Sequence, residues 1–458
     1  MLLEGFIAAL SRAKTFEKAI AAAKNSADFS LVDGMRAPLL AALLDRAGGP
    51  RFALAISATG RESEALRRSL ASFLPGATVV EFPAWETLPH ERLSPSAETV
   101  GKRIAALRAI ARWDGAAPFV LVTSVRAALQ PLADNLTSIE PIELVKGGRG
   151  YDLPDVSRRL VDLAYSRVDM VTRRGEFAVR GGIVDVFAPT DEHPLRLEFF
   201  GDELEEVREF SVADQRSLTT EIDSVELPPS RELLLSESVR QRAREMQHEF
   251  PSLSGMLAKI GEGIPVDGME SLAPALVDRL VPLTHYLPQD AAIAVLAPEK
   301  VATRAVSLAE TNREFLSAAW NAATAGAEAP IDLDAGDFMT LGGLREAAGQ
   351  RPWWTMSAFD SDSDDSDYVR IDARAVPSFA GQPDGAVDHV VGLVRDGWTV
   401  AVVAEGAGLV ERAADVLGEH EASGRIVEAF PSDAEPGIAY LLKASIDVGF
   451  ELPESKLA

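Results

Sequence analysis

The sequence predicts a multidomain α/β protein in which a parallel-sheet domain is interrupted by an inserted antiparallel α+β domain. Three observations support this class. Short apolar runs alternate with helical stretches up to about residue 123, a pattern typical of a parallel sheet. Residues 165–210 instead carry a period-two alternation broken by glycines, which predicts an antiparallel meander. Strands and helices alternate again after about residue 334, which predicts a further small α/β domain.

The length and charge of the chain limit its organisation and its partners. The 458 residues correspond to three or four domains at about 100 to 200 residues each. The net charge of −25 disfavours non-specific nucleic-acid binding, because phosphate neutralisation supplies most of that affinity. Proteins are therefore the expected partners. The chain has no cysteine, which excludes disulfides and thiolate metal sites and is typical of a cytoplasmic protein.

The first domain is predicted from its periodicity. Residues 2–24 have the apolar spacing of an amphipathic helix and an early Glu4, which differs from a signal peptide. No apolar run reaches the roughly 18 residues of a membrane span. Further helices are predicted at 36–46, 61–73 and 96–112, and buried strands at 51–57, 78–82 and 118–123.

The loop after the first of these strands stands where a phosphate-binding loop would lie. The pattern G-x-x-x-x-G-K-[ST] needs a lysine for the phosphates and a hydroxyl for Mg²⁺. Here Ala55 takes the first glycine position and Gly60 is kept, but Arg61 and Glu62 replace the lysine and the hydroxyl residue. Because Glu62 would place a negative charge beside the phosphates, we expect a degenerate P-loop that binds no nucleotide.

The meander follows a predicted helix at 154–163. Phe177 and Val179 alternate with Ala178 and Arg180, and the glycine pair 181–182 interrupts the strand as a bulge or tight bend would. A strand at 195–199 leads into a hairpin signal at 201–202.

Arginines gather in this stretch of an otherwise acidic chain. Arginine beside aromatic residues is the composition of protein-binding hot spots, although single strand arginines are more often simply solvated. One face of the meander is expected to carry this cluster, which comprises Arg167, Arg173, Arg174, Arg180 and Arg196, near Phe177 and Phe187. For Phe187, a core position is an equally good interpretation.

The first domain is predicted to resume after the meander. Residues 217–227 are predicted as a strand that returns to it, and 291–296 as another buried strand. Helices are predicted at 236–250, 256–259 and 299–322. The last unit is predicted to have helices at 386–396 and 409–419 and strands at 399–404, 425–430 and 438–442.

Other known site patterns fail on their spacing. The acidic run 359–368 has Asp365 and Ile371 where a calcium loop counted from Asp360 requires Gly and Glu, so we expect a solvated flexible loop. The glycine loop at 406–408 lacks the third glycine of a dinucleotide site at Glu411. The six histidines are scattered, and no nucleophile–His–acid set or metal site is indicated. Catalysis by this chain is not expected.

Several motifs carry a family resemblance. The runs RGEFAVRGG, IVDVF and LRLEFFGDE, with DQRS at 214–217, resemble the region shared by the nucleotide-excision-repair protein UvrB and the transcription-repair coupling factors (Mfd). The segment FPAWETLPHERLSPSAETVGKRIAAL at 82–107 is more similar to the coupling factors. The resemblance covers residues 52–229 and thins beyond about 300. The Ala-, Arg- and Asp-rich usage resembles an actinobacterial member.

The resemblance implies a domain organisation and a binding role. It implies a degenerate RecA-like domain at 1–123 and 213–333, an inserted UvrA-binding domain at 124–212 and a small α/β domain of unknown role at 334–458. UvrB contacts UvrA through arginines in Y-x-R-N-D and F-R-V-R-G motifs. The matching positions are Arg167 in YSRVD and Arg180 in FAVRG, while Ala178 replaces one UvrB arginine. Phe187 and Arg174 are further candidates.

The same resemblance assigns the remaining activities to other parts of a longer parent. Those parts are an RNA-polymerase-binding domain, an ATP- and Mg²⁺-dependent motor on double-stranded DNA, and a C-terminal domain that masks the UvrA-binding face by an intramolecular contact. We therefore expect a non-catalytic module without a cofactor. The alternatives are an active UvrB-like ATP-dependent damage loader or motor, and a purely structural scaffold.

Overall fold

The structure is a computed structural model that describes residues 2–46, 48–325, 330, 331, 333, 336–360 and 367–458. Positions 361–366 of the acidic run lie outside these ranges, and so does most of the loop predicted there. Within the described ranges, no helix is both long and apolar enough to cross a bilayer.

The first part of the chain alternates helices and strands as predicted. Its elements are α1 (Glu4–Leu10), α2 (Lys14–Ala22), β1 (Ala27–Ser30), α3 (Arg36–Asp45), β2 (Phe52–Ser57), α4 (Gly60–Phe73), β3 (Thr78–Phe82), α5 (Ala97–Arg112) and β4 (Phe119–Ser124). The single N-terminal helix predicted at 2–24 is wrong, because the chain breaks between α1 and α2. The Ser11 hydroxyl donates to the carbonyl oxygen of Ile7 at 2.8 Å there, a bond that competes with helix continuation.

The inserted unit follows. Its elements are α6 (Val125–Ala128), β5 (Leu132–Ala133), β6 (Ile142–Val145), α7 (Leu153–Asp162), β7 (Ser166–Arg167), β8 (Glu176–Arg180), β9 (Ile183–Val186), β10 (Leu195–Phe200), β11 (Glu203–Phe210), β12 (Ser217–Glu221) and β13 (Ser224–Leu227). Six described strands form one sheet in the order β12-β11-β10-β9-β8-β7, and the pairs from β8 to β12 are antiparallel. The predicted meander is confirmed.

The single returning strand predicted at 217–227 is wrong. β12 extends the meander by pairing with β11. β13 pairs with β6 in a separate two-stranded ladder. Both strands therefore pair within the inserted unit and not with the first sheet.

The chain then returns to the first sheet through a helical segment. Its elements are α8 (Glu237–Met246), α9 (Ser254–Gly261), α10 (Ala273–Leu276), β14 (Leu280–Val281), β15 (Ala292–Leu296) and α11 (Pro298–Thr324). The last part contains α12 (Leu341–Ala348), β16 (Trp353–Ser357), β17 (Tyr368–Arg370), β18 (Arg374–Ala375), α13 (Pro383–Arg395), β19 (Thr399–Ala404), α14 (Ala407–Glu419), β20 (Gly424–Ile426), β21 (Ile438–Lys443) and β22 (Phe450–Glu451).

Seven of the described strands form the main sheet, in the order β17-β1-β16-β15-β2-β4-β3. Every neighbouring pair in it is parallel. The strands β2, β4 and β15 are buried along their full length, as expected for a sheet covered on both faces. β16 and β17 come from beyond residue 333 and yet belong to the main sheet. The prediction that residues 334–458 form a wholly separate unit is therefore wrong for these two strands.

The C-terminal α/β unit packs against the N-terminal helices. Its parallel sheet has the order β19-β21-β20. The ring of Phe6 in α1 lies 5.0 Å from that of Phe430 and 5.8 Å from that of Phe450. A Cβ on Gly5 would come within 2.2 Å of the Phe430 carbonyl oxygen, so only glycine permits this close approach.

A buried ion pair holds the 82–95 segment in place. Arg103 of α5 is fully buried, and its Nε donates to Glu232 Oε1 at 2.5 Å. The indole nitrogen of Trp85 donates to the same oxygen at 3.0 Å. Arg103 also donates to the carbonyl oxygen of Pro83 and lies 4.3 Å over the Phe82 ring. The pair thereby joins α5, the Trp85 loop and the chain leaving the inserted unit.

Candidate protein-docking surface

The meander sheet of the inserted unit has one inner and one outer face. On the inner face Phe177, Val184 and Leu197 are buried in a core that also contains side chains of α7. Side chains alternate along a strand, so the intervening positions lie on the outer face. Register places Ala178, Asp185, Arg196 and Arg208 in one row across that face, and Arg180, Ile183, Glu198 and Glu206 in the next.

Arg180 lies at the end of β8, on the exposed edge of this outer face. Its guanidinium donates a hydrogen bond to the backbone carbonyl oxygen of Asp169. Because this partner is a carbonyl and not a carboxylate, the positive charge of Arg180 is not neutralised by that contact. An exposed arginine held by one hydrogen bond keeps other N–H groups for a partner.

Arg167 lies in the edge strand β7, which pairs in parallel with β8 and puts Arg167 opposite Phe177. Arg167 is exposed, and in the described ranges its side chain has neither an ion pair nor a hydrogen bond. This register puts the Arg167 side chain on the same face of the sheet as Phe177. Phe177 and Arg180 are three positions apart on β8, so alternation puts Arg180 on the opposite face. The prediction that all five arginines share one face is wrong in this respect. Arg167 lies in the edge strand itself, and Arg180 lies at the exposed end of the neighbouring strand β8.

Arg196 belongs to the sheet and not to its open surface. Its Nε and Nη2 donate to the two oxygens of Asp185 at 2.7 Å and 3.0 Å, and Asp185 is buried. The hydrogen bond to Asp185 raises the pKa of Arg196. Arg196 also lies 4.8 Å over the ring of Phe210. This bidentate pair joins neighbouring strands β9 and β10.

Arg174 and Phe187 fasten the inserted unit to α5. The Phe187 side chain is only 6% exposed, and the Arg174 guanidinium lies 5.0 Å over its ring. Arg174 Nη1 is 3.3 Å from Glu98 of α5. Because its side chain is buried, Phe187 packs within the protein. Its position therefore does not support the prediction that it contacts UvrA. Arg174 is half-buried and already paired.

Two glycines allow this attachment to be close. A Cβ on Gly101 of α5 would come within 2.4 Å of the Pro189 Cβ. Gly175 has φ +82°, a backbone region that favours glycine, and a Cβ there would lie 3.3 Å from that of Ala97. The inserted unit is thus packed directly on α5.

The segment 168–173, between Arg167 and β8, is held by two residues that the sequence patterns did not single out. Glu176 Oε2 accepts hydrogen bonds from the backbone N–H groups of Thr172 at 2.8 Å and Arg173 at 2.9 Å. Gln215 Nε2 donates to the carbonyl oxygens of Val171 at 3.2 Å and Val212 at 3.0 Å. Gln215 has φ +60°, which is uncommon for a non-glycine residue. In the sequence, the DQRS run at 214–217 was the feature that could have indicated Gln215.

The degenerate phosphate loop carries its own carboxylate cap. Thr59 is the N-cap of α4, and Glu62 Oε2 accepts from the Thr59 N–H at 3.0 Å and the Thr59 hydroxyl at 3.1 Å. The Glu62 N–H in turn donates to Thr59 Oγ1 at 3.3 Å, which completes a capping box. The Glu62 carboxylate thus lies where a phosphate would meet the helix N-terminus.

The C-terminal segment covers this loop. Asp33, Glu62 and Asp447 line one cavity beside the end of β2. The Asp447 N–H donates to Ser69 Oγ of α4 at 3.0 Å. Arg36 also lines this cavity and pairs with Asp33 at 2.7 Å, so the carboxylates of Glu62 and Asp447 are the charges that disfavour a nucleotide phosphate there.

Titratable residues are dispersed elsewhere. In the parts of the chain that the structure describes, no group of three or more His, Asp or Glu residues could hold a metal ion. His90 is buried, with its Nδ1 3.1 Å from Asn312 Oδ1. His389 pairs with Glu451 at 2.8 Å. Neither contact includes a nucleophile.

Comparison with known proteins agrees with this geometry. The family model of the UvrB interaction domain matches residues 142–233, the range that contains the meander. A transcription-repair-coupling factor of Mycobacterium tuberculosis is 41% identical over 483 residues, which cover 99% of this chain and 38% of that relative. The chain belongs to the transcription-repair coupling factors.

More distant coupling factors match as well. The factor of Myxococcus xanthus is 34% identical over 50% of this chain and 20% of its own length. The factor of Bacillus subtilis is 23% identical over 95% of this chain and 39% of its own length. The chain therefore spans about two fifths of the length of the Mycobacterium tuberculosis and Bacillus subtilis factors.

Proposed function

We propose that the chain is a non-catalytic, cytoplasmic module of a coupling factor that docks the excision-repair protein UvrA. Arg167 and Arg180 are the principal contacts. The observation that carries this proposal is the exposed pair itself. Arg167 lies in the edge strand β7 and Arg180 at the end of the neighbouring strand β8, both inside the range matched by the UvrB interaction domain. In the parent protein this contact would recruit UvrA to a stalled RNA polymerase.

The chemistry of the two arginines indicates an acidic partner surface. A planar guanidinium binds a carboxylate through two parallel hydrogen bonds. Ala178, which takes the place of a UvrB arginine, is only 2% exposed and packs beside Phe187. An arginine would not fit there without rearrangement, so the docking surface departs from UvrB at this position.

The proposal excludes nucleotide chemistry at the degenerate loop. Glu62 would have to leave its capping box before a phosphate could approach the α4 N-terminus. The alternative is a UvrB-like ATP-dependent motor, and it requires Mg-ATP binding at Gly60. A calorimetric titration with Mg-ATP should give no binding heat; measurable affinity would support the motor instead.

The remaining activities are proposed for the parent protein only. These are ATP- and Mg²⁺-driven translocation on double-stranded DNA, RNA polymerase binding, and masking of the docking surface by a C-terminal domain. If masking operates, this chain binds UvrA more tightly than the full-length parent does. Equal affinities would contradict masking and leave docking intact.

Titration of UvrA into the purified chain tests docking. The chain should bind UvrA, and Arg180→Ala should weaken binding while circular dichroism stays unchanged. Arg61→Ala is the matched control, because Arg61 is also exposed but lies at the degenerate loop. The proposal fails if the unmodified chain does not bind, or if Arg61→Ala weakens binding as much as Arg180→Ala.

A further inference from the structure

Only half of the outer face of the meander sheet is open. Val171, Phe187 and Phe210 form a small core with Ala178 and cover the row that contains Asp185. The next row carries Arg180, Ile183, Glu198 and Glu206. These four side chains are exposed or half-buried, so this open half is accessible to a partner.

Phe200 lies at the end of this open half. Alternation along β10 buries Leu197 and Phe199 and turns Phe200 to the outer face. Its side chain is 74% exposed, the highest value among the large hydrophobic residues that the structure describes. Aromatic residues are enriched among the residues that carry most of the binding energy of protein interfaces.

The backbone before Phe200 runs beside the glycine turn at 181–182. The Phe199 N–H donates a hydrogen bond to the carbonyl oxygen of Gly182 at 2.8 Å. A Cβ on Gly182 would lie 2.7 Å from the Phe199 carbonyl oxygen, whereas a Cβ on Gly181 would have no neighbour within 4 Å. Two hairpins are therefore tightly apposed, and the space above Gly181 is open to an approaching partner.

Arg180 lies between two exposed apolar side chains. It directly precedes the glycine turn beside Phe200, and on its other side it contacts the carbonyl oxygen of Asp169, next to Met170. Met170 is 51% exposed. Aromatic residues, methionine and arginine are the residue types enriched in the centres of protein interfaces.

We propose that Phe200 is the apolar anchor of the UvrA-docking surface and inserts into an apolar pocket of UvrA. This inference rests on the proposed function. The pocket should be bordered by a carboxylate toward Arg180 and by a cationic group toward Glu198, because those charges lie on the open face with Phe200, whereas Glu206 already pairs with Arg208. Continuity with Arg180, inside the range matched by the UvrB interaction domain, favours UvrA over a second copy of the chain.

Calorimetric titration of UvrA into the full chain tests the anchor. Phe200→Ala should weaken binding about tenfold or more, on the scale of interface hot spots, and Phe200→Leu should keep most of the affinity. Phe359→Ala is the matched control, because Phe359 is 67% exposed and lies next to the acidic run, away from the meander. Thermal unfolding of all three variants should match that of the unmodified chain.

The outcomes separate the anchor from the docking function. If Phe200→Ala binds UvrA like the unmodified chain while Arg180→Ala is weakened, the anchor is wrong and docking stands. If the unmodified chain does not bind UvrA, the docking function itself fails. A concentration-dependent dimer that Phe200→Ala dissociates, with UvrA affinity unchanged, would identify a second copy as the occupant and overturn the inference.

Discussion

The guanidinium of Arg180 donates a hydrogen bond to the carbonyl oxygen of Asp169, two residues after Arg167. This contact joins the end of β8 to the segment that follows the edge strand β7. It therefore positions both arginines with respect to each other before any partner binds. Preorganisation of this kind lowers the entropic cost of forming an interface.

Arg180→Lys should bind UvrA more weakly than the unmodified chain but more tightly than Arg180→Ala. Lysine keeps the charge but lacks the planar fork that binds a carboxylate bidentately. Titrations at two salt concentrations check this, because the charge contribution is screened by salt and the hydrogen-bond geometry is not. Equal affinity of the lysine variant and the unmodified chain would show that Arg180 contributes only its charge.

Gln215→Ala should weaken UvrA binding about three- to tenfold, the effect of losing about one net hydrogen bond. The substitution removes the donor to Val171 and Val212 and loosens the segment next to Arg167. Hydrogen–deuterium exchange in residues 168–173 should increase in parallel. Gln241→Ala is the control, since the Gln241 side chain bonds only to Glu245 and Arg244 on the exposed face of α8 in the described part of the chain. Weaker binding without faster exchange would contradict this positioning role.

Alanine substitutions of Arg103 and Lys102, which are neighbours in α5, should lower the free energy of unfolding by very different amounts. Arg103→Ala removes one partner of a buried ion pair and should cost about 3 to 5 kcal/mol in the free energy of unfolding. Lys102→Ala breaks an exposed pair with Glu98 and should cost less than about 1 kcal/mol. Urea unfolding of both variants checks the difference. Similar losses for the two variants would contradict the buried position of Arg103.

Glu270→Gln should become relatively more stable as the pH rises. Burial raises the pKa of Glu270 above its usual value, although Arg231 and Ser94 oppose the shift. A group whose pKa is raised in the folded state stabilises the folded protein at pH values below its unfolded-state pKa. This stabilisation is lost as the pH rises through the folded-state pKa. The glutamine variant cannot ionise, so its stability relative to the unmodified chain should increase from about pH 5 to about pH 8.

Urea unfolding at both pH values measures this effect. Glu262→Gln is the control, because Glu262 is exposed. A relative loss of stability of Glu270→Gln at the higher pH would show that the ion pair with Arg231, at 2.9 Å, outweighs the cost of burial.

Local patterns were sufficient for most of the strands and helices. The buried apolar runs at β2, β4 and β15 and the alternation in β8 and β10 are strong periodic signals. β1, β16 and β17 were missed. They are four, five and three residues long, and their pairing with the main sheet joins segments more than 300 residues apart, which no local window contains.

The sequence predicted only part of the candidate site, again because contacts between distant segments are not visible in a local window. The motifs indicated Arg167 and Arg180, and the structure finds both exposed. Sequence alone could not separate these two from Arg196, because the partner of Arg196 is a cross-strand neighbour set by register. The burial of Phe187 likewise depends on Phe210 and Val171 from other parts of the chain.

The most direct test of the docking function is UvrA binding by the double variant Arg167→Ala/Arg180→Ala. Each arginine is expected to contribute about 2 kcal/mol, the usual scale of a hot spot. The double variant should therefore lose at least about a hundredfold in affinity with an unchanged circular dichroism spectrum. Binding of UvrA by the folded double variant with the affinity of the unmodified chain would contradict the assignment of this surface.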